Sequence, residues 1–220
     1  MTAGGAETWG RNEMRHLASR QFGLFTSAQA RRNGLSNIEV AQRLASGELY
    51  VAYRRVFGFT ENDADMFRCE DWAARWLALK PTADIEARRA APDCILSHES
   101  AAAIRNLGTV VADGLYLTGP RSINKTPQVR SYLRDIGARG AEWNVFEGLP
   151  VAMPGRIVAD LADAEIDGSH QGTVIADIID DGLLTMEEVG RRLDPYAHRW
   201  GVSGGVELAQ LFTAAACRSK

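Results

Sequence analysis

From Glu13 onward, short apolar stripes at helical spacing alternate with polar breaks. Met14, Leu17, Ala18 and Phe22 share one helical face, and Gly23 stops the run. Thr26-Ser27-Ala28-Gln29 and Ser36-Asn37-Ile38-Glu39 have the form of capping boxes, each opening a further short helix. The first of these ends at Asn33-Gly34 with Arg31 and Arg32 in its last turn, where cations suit the negative helix pole. The second carries Val40, Ala41, Leu44 and Ala45 as its apolar stripe and breaks at Ser46-Gly47. Leu49 to Phe59 is β-branched and aromatic with Arg54-Arg55 near its middle, which predicts a two-stranded hairpin. Taken in order, these elements predict a winged helix-turn-helix over 13–60, preceded by a frayed tail over 1–12.

The polar stretch Thr60-Glu61-Asn62-Asp63 marks the expected domain boundary. Helical periodicity runs from Asp65 to Leu79 and ends at Lys80-Pro81. Beyond it the pattern predicts a helix after Ser97 and strands over 115–118, 129–133 and 145–151. Helices follow over 154–164, 172–181, 186–193 and 204–216. The expected fold class is α+β: the winged helix-turn-helix over 13–60, then a mixed domain over 65–220 that ends in helices.

Charge divides along the same line. Residues 1–60 hold eight Lys and Arg against four Asp and Glu. Since the whole chain has 25 against 28, residues 61–220 hold 17 against 24. The front is thus +4 and the rest −7, which predicts a polyanion partner for the first part and a different, basic partner for the second.

Composition narrows the function classes. No uncharged apolar stretch approaches the roughly 20 residues that span a bilayer, and the N-terminus lacks the pattern of a signal peptide, so a cytoplasmic protein without membrane association is expected. Cys69, Cys94 and Cys217 are scattered, as are His16, His98, His170 and His198. Neither a disulfide framework nor a metal site is expected from such spacing. No phosphate-binding glycine loop and no nucleophile elbow occurs, so no cofactor and no enzymatic activity is expected.

The candidate chemistry lies in the first sixty residues. With Val40, Ala41 and Leu44 turned inward, Ser36, Gln42 and Arg43 face outward on the second capped helix. Gln42 and Arg43 are then the natural readers of adenine and guanine, with Asn37 a further candidate. Arg54 and Arg55 at the hairpin tip, with Tyr53 beside them, are expected at phosphates or in the minor groove. Arg31 and Arg32 serve phosphates or the helix dipole. Glu39 is expected to cap, since a carboxylate facing phosphates is repelled.

Further along, Ser97-His98-Glu99 has the residue types of a catalytic triad, but neighbours at a helix start point apart. Ser97 is better placed as an N-cap. Arg156 and Asp160, four apart, predict a helix-surface ion pair. Asp177, Asp180 and Asp181 predict a solvated acidic face.

Three ordered blocks, spread over roughly residues 14 to 165, carry a family resemblance. They are Gly23-Leu24-Phe25-Thr26-Ser27-Ala28-Gln29-Ala30 through Gly34-Leu35-Ser36 to Ser46-Gly47-Glu48-Leu49; Leu96-Ser97-His98-Glu99-Ser100-Ala101-Ala102; and Gly148-Leu149-Pro150-Val151 through Pro154-Gly155-Arg156 to Ala159-Asp160-Leu161-Ala162. The chain resembles the AbiEi-type antitoxins of type IV toxin–antitoxin systems and the related actinobacterial winged-helix regulators. It departs from them at Arg55, where the family has a glycine at the wing turn, and at Ile157, where it has a threonine.

The resemblance implies a winged helix that represses its own operon at inverted-repeat double-stranded DNA. It also implies a second domain that opposes a nucleotidyltransferase-like toxin, directly or indirectly. The alternative is a free-standing winged-helix regulator whose second domain senses a ligand or dimerises.

Overall fold

The computed structural model describes residues 12–61, 69–123 and 128–218. Of the tail expected over 1–12, residues 1–11 lie outside the described residues and Asn12 is helical, and the start of the helix expected over 65–79 also lies outside them. The chain is α+β and forms two units, Met1–Ala91 and Pro92–Lys220.

The first unit opens with α1 (12–19), followed by β1 (Leu24–Thr26), α2 (Ser27–Arg32) and α3 (Asn37–Ala45). β2 (Leu49–Tyr53) and β3 (Val56–Phe59) form the hairpin, and β1 joins it to give an antiparallel sheet in the order β1-β3-β2. Both capping boxes form. Thr26 Oγ1 accepts the Gln29 N–H at 3.2 Å while Gln29 Oε1 accepts the Thr26 N–H at 2.8 Å, and Ser36 and Glu39 repeat the exchange at α3. Met14, Ala18, Phe25, Ala30, Leu35, Val40, Leu49 and Phe59 close over one another as the core. The Phe25 ring stands 5.5 Å from that of Phe59.

This unit runs on through α4 (Glu70–Leu79) and α5 (Ile85–Ala90), past the boundary expected at 60–63. Thr26 Oγ1 donates to the Pro81 carbonyl at 2.5 Å and Arg32 Nη1 to the Thr82 carbonyl at 2.7 Å. From α4, Glu70 accepts the Tyr50 hydroxyl at 2.7 Å. From α5, Arg89 reaches the Arg20 carbonyl at 3.2 Å and lies over the Phe22 ring. These long-range bonds bind α4 and α5 to the hairpin side of the chain. A polar linker composition alone does not report them.

The second unit holds a mixed five-stranded sheet in the order β6-β5-β4-β8-β7. Its strands are β4 (Ile95–Leu96), β5 (Leu115–Gly119), β6 (Val129–Leu133), β7 (Trp143–Phe146) and β8 (Leu149–Ala152). The single strand expected over 145–151 is two, because Glu147 and Gly148 both take positive φ (49° and 77°) and turn the chain back as a tight hairpin.

α6 (His98–Ile104) and α7 (Pro154–Asp163) pack together, and α8 (Gly168–Asp180), α9 (Met186–Leu193) and α10 (Gly205–Arg218) complete the helical C-terminal part, with a 3-10 turn over Asp194–Trp200. Gly172 fixes the α8–α10 approach. A Cβ there would stand 2.0 Å from the Phe212 carbonyl oxygen. Asp177, expected on a solvated face, instead accepts the Gly108 N–H at 2.6 Å and anchors the loop after α6. No helix among the described residues is long and apolar enough to cross a membrane.

Candidate nucleic-acid interface

α3 presents a face different from the one the apolar pattern predicts. Val40 is buried and Leu44 half-buried, while Ala41 and Ala45 are exposed and Ile38 is 71% exposed. The buried stripe is therefore narrow, and the exposed face includes Asn37 and Ala41, one turn apart. These two, together with Ser27, Arg31, Arg55 and Phe57, border an open cleft of about 350 Å³. Four polar residues thus arrive from three elements: Ser27 and Arg31 from α2, Asn37 from α3 and Arg55 from the hairpin tip.

The expected contact residues separate into free and engaged groups. Arg31, Asn37, Gln42, Arg54 and Arg55 are exposed. Among the described residues, no carboxylate lies within ion-pair distance of the Arg31, Arg54 or Arg55 guanidinium.

Arg43, expected to read guanine, is half-buried and donates from Nη1 to Glu48 Oε1 at 3.1 Å, which pins the turn between α3 and β2. Ser36 is consumed by its cap: its hydroxyl accepts the Glu39 N–H at 3.2 Å and donates to Glu39 Oε2 at 2.7 Å. Those bonds hold the Glu39 carboxyl below its ordinary range. Arg32 serves the Thr82 carbonyl. Tyr53 is half-buried, with the Arg75 guanidinium 5.7 Å from its ring centroid.

The hairpin tip is conformationally special. Arg55 takes φ +60°, a left-handed value that L-residues adopt at a cost of roughly 1 kcal/mol or more. It is also the position where the resemblance expects glycine, and the fold retains the backbone conformation that glycine favours. The Arg55 carbonyl accepts the Ser27 N–H at 2.9 Å, so the strained residue is tied to the first turn of α2.

The Ser-His pair of the second unit is an interior feature. Ser97 stands at the N-cap position of α6 without capping it. Its hydroxyl accepts from Thr118 Oγ1 at 2.8 Å and pairs with His98 Nδ1 at 2.9 Å. The His98 ring is fully buried and stacks on Tyr132 with centroids 3.6 Å apart. Burial pushes its pKa down to about 3, so the imidazole is neutral at pH 7.

Arg156 and Asp160 are likewise buried, not the surface pair expected. Arg156 Nε donates to Asp160 Oδ1 at 3.0 Å, and its Nη atoms reach the Asp135 carbonyl, the Ile136 carbonyl and Glu142. Two of the three blocks that carry the family resemblance thus meet in one buried polar cluster. The signal that could have revealed it is the apolar neighbourhood of both motifs, Leu96 with Ala101-Ala102 and Ile157-Val158 with Leu161-Ala162.

No family model and no curated protein matches the chain. Among solved structures it is similar to the crystal structure of the RV2827C protein from Mycobacterium tuberculosis. The two are 14% identical with a TM-score of 0.50, over 95% of this chain and 77% of that one. This likeness concerns the fold alone.

Proposed function

We propose that the first unit is a winged helix-turn-helix that binds double-stranded DNA, and that the chain is a cytoplasmic transcriptional regulator of the antitoxin kind its resemblance implies. One observation carries the reading: Arg31, Asn37 and Arg55 converge from three elements on one cleft beside α3. In such modules the second capped helix enters the major groove and the hairpin meets the backbone. Arg31, Arg54 and Arg55 then contact phosphates, while Asn37 and Gln42 reach base edges. Ala41 and the exposed Ile38 supply apolar contact of the kind a thymine methyl takes. Residues 1–91 hold 13 Lys and Arg against 11 Asp and Glu and residues 92–220 hold 12 against 17, so the first unit, at +2 against −5, is the one that suits a polyanion.

As an antitoxin, the chain represses its own operon at an inverted repeat and counteracts a nucleotidyltransferase-like toxin, directly or indirectly. No catalytic step belongs to this reading. The test is selection of duplexes from a randomised pool by the full chain. A defined inverted repeat should emerge, and Asn37→Ala should relax preference at one base pair of each half-site. Recovery of no common sequence would overturn the regulatory reading.

A further inference from the structure

The second unit contains a cleft of about 420 Å³ at the start of α7, bordered by the α8–α9 connection and by α9. Its innermost charge is Arg105, the residue that ends α6. Arg105 Nε donates to the Ala152 carbonyl at 2.8 Å, Nη2 reaches Met153 Sδ at 3.8 Å, and the guanidinium lies 4.5 Å from the Phe146 ring centroid. These contacts fix the fork in place, but none of them is an anion. No carboxylate among the described residues lies within ion-pair distance of Arg105, although the group is half-buried and desolvation lowers its pKa to about 10. A partly desolvated cation without a counterion is costly, and an arriving anion offsets that cost.

The other charges of the cleft are nearly balanced. Arg192 donates to Glu142 at 2.7 Å, and Arg191 lies 3.8 Å from Glu188. Glu188 itself is held in the α9 capping box, where it accepts the Thr185 N–H at 2.8 Å. The uncompensated charge is therefore concentrated on Arg105. α7 also opens without a side-chain cap, so its positive pole adds to the same field. The remaining wall is apolar: Met153, Pro154, Leu183 and Leu184. Leu183 is 47% exposed, an unusual investment for a leucine beside three arginines.

We infer that this cleft binds a small organic anion, with its carboxylate or phosphate head on Arg105 and its apolar body against Leu183, Leu184 and Met153. The volume falls within the range of small-molecule sites, and the pattern of a few fixed polar groups in an apolar wall is theirs as well. This site is independent of the DNA reading and is tested without DNA.

The experiment is calorimetric titration and thermal unfolding of the full chain with three probes that share a naphthyl body: 2-naphthoate, 2-naphthyl phosphate and the uncharged 2-naphthamide, the isostere of the first. At least one of the two anions should bind and raise Tm, and which one binds better identifies the head group. The amide should bind at least about tenfold more weakly, the loss expected for one charge-assisted contact. Arg105→Gln should weaken the anion by a similar factor. Arg191→Glu changes an exposed side chain and serves if Arg105→Gln does not fold. It should weaken the anion about threefold or more by reversing a nearby charge. Binding of the amide as tight as that of the anions, no binding of either anion, or unchanged affinity in the folded variant would overturn the inference.

Discussion

His98 Nδ1 lies 3.9 Å from Asp160 Oδ2, with the two side chains 0% and 2% exposed. His98 belongs to the Leu96–Ala102 block and Asp160 to the block that follows Pro154, so this contact joins two separate motifs inside the second unit. It is not an ion pair at pH 7, because burial, with the Arg134 and Arg156 charges adding to it, keeps the imidazole neutral. Asp160 is held up to about 6 by the same burial, against the pull of Arg156.

The two shifts act on stability with opposite signs. His98 titrates near 6.5 when unfolded and near 3 when folded, so the stability it confers is present above about 6.5 and is lost as pH falls towards 3. Asp160, raised from 3.8 to about 6, costs stability above 6, and acid removes that cost. His98→Gln deletes only the first effect. Thermal unfolding should show wild type ahead of the variant at pH 7 and the gap narrowing at pH 4.5. A gap that stays constant or widens would contradict the burial assigned to His98.

Arg156 holds this interior together. Replacing it with leucine leaves Asp160 and Glu142 short of a partner and the carbonyls of Asp135 and Ile136 short of a donor. Denaturant unfolding should show a loss of about 3–5 kcal/mol. Arg156→Lys should recover only part, since an ammonium cannot reproduce the fork. A surface pair would cost less than about 1 kcal/mol, and such a result would place Arg156 outside the core.

Gly172→Ala tests the α8–α10 contact by its sign. Helix propensity alone favours alanine by about 1 kcal/mol. The added Cβ, however, would meet the Phe212 carbonyl at 2.0 Å, where backbone has to move. Overpacking wins, and a net loss of about 1–3 kcal/mol is expected in chemical denaturation. A stabilised variant would show that α8 and α10 are further apart.

Arg55→Gly separates folding from binding at one position. Relief of the left-handed φ should raise stability by roughly 0.5–1 kcal/mol, after the extra freedom of glycine in the unfolded chain is set against it. The same change should weaken DNA binding, because it removes the proposed phosphate contact. Loss of stability, or unaltered affinity, would sever strain from function at the hairpin tip.

The two capping boxes are local, four-residue patterns, and both formed as read, with Glu39 serving Ser36. The α+β class and most helices followed from periodicity in the same way. The boundary at Ala91 did not, since it depends on bonds such as Thr26 to Pro81, between residues far apart in the chain.

Arg43 illustrates a second limit. The helical wheel places it outward correctly for its Cα, but a long side chain reaches Glu48 beyond the helix end. Ala41 shows a third: alanine is compatible with either face of α3, so the wheel could not decide its exposure. The buried cluster of Ser97, His98, Arg156 and Asp160 was present as residues and motifs, while its convergence arises only where the start of α6 meets α7 in the fold.

Arg31 and Arg55, beside α3 and without a carboxylate in ion-pair range among the described residues, are proposed to meet the phosphates of duplex DNA. The most direct measurement is the dependence of affinity on salt for a fixed duplex, comparing the full chain with a variant carrying Arg31→Ala and Arg55→Ala. Each phosphate contact contributes about one unit to the slope of log affinity against log salt. The double variant should lose affinity on every duplex, and its slope should be shallower by about two. An unchanged slope, or no binding of the wild-type chain at low salt, would contradict the proposed contacts.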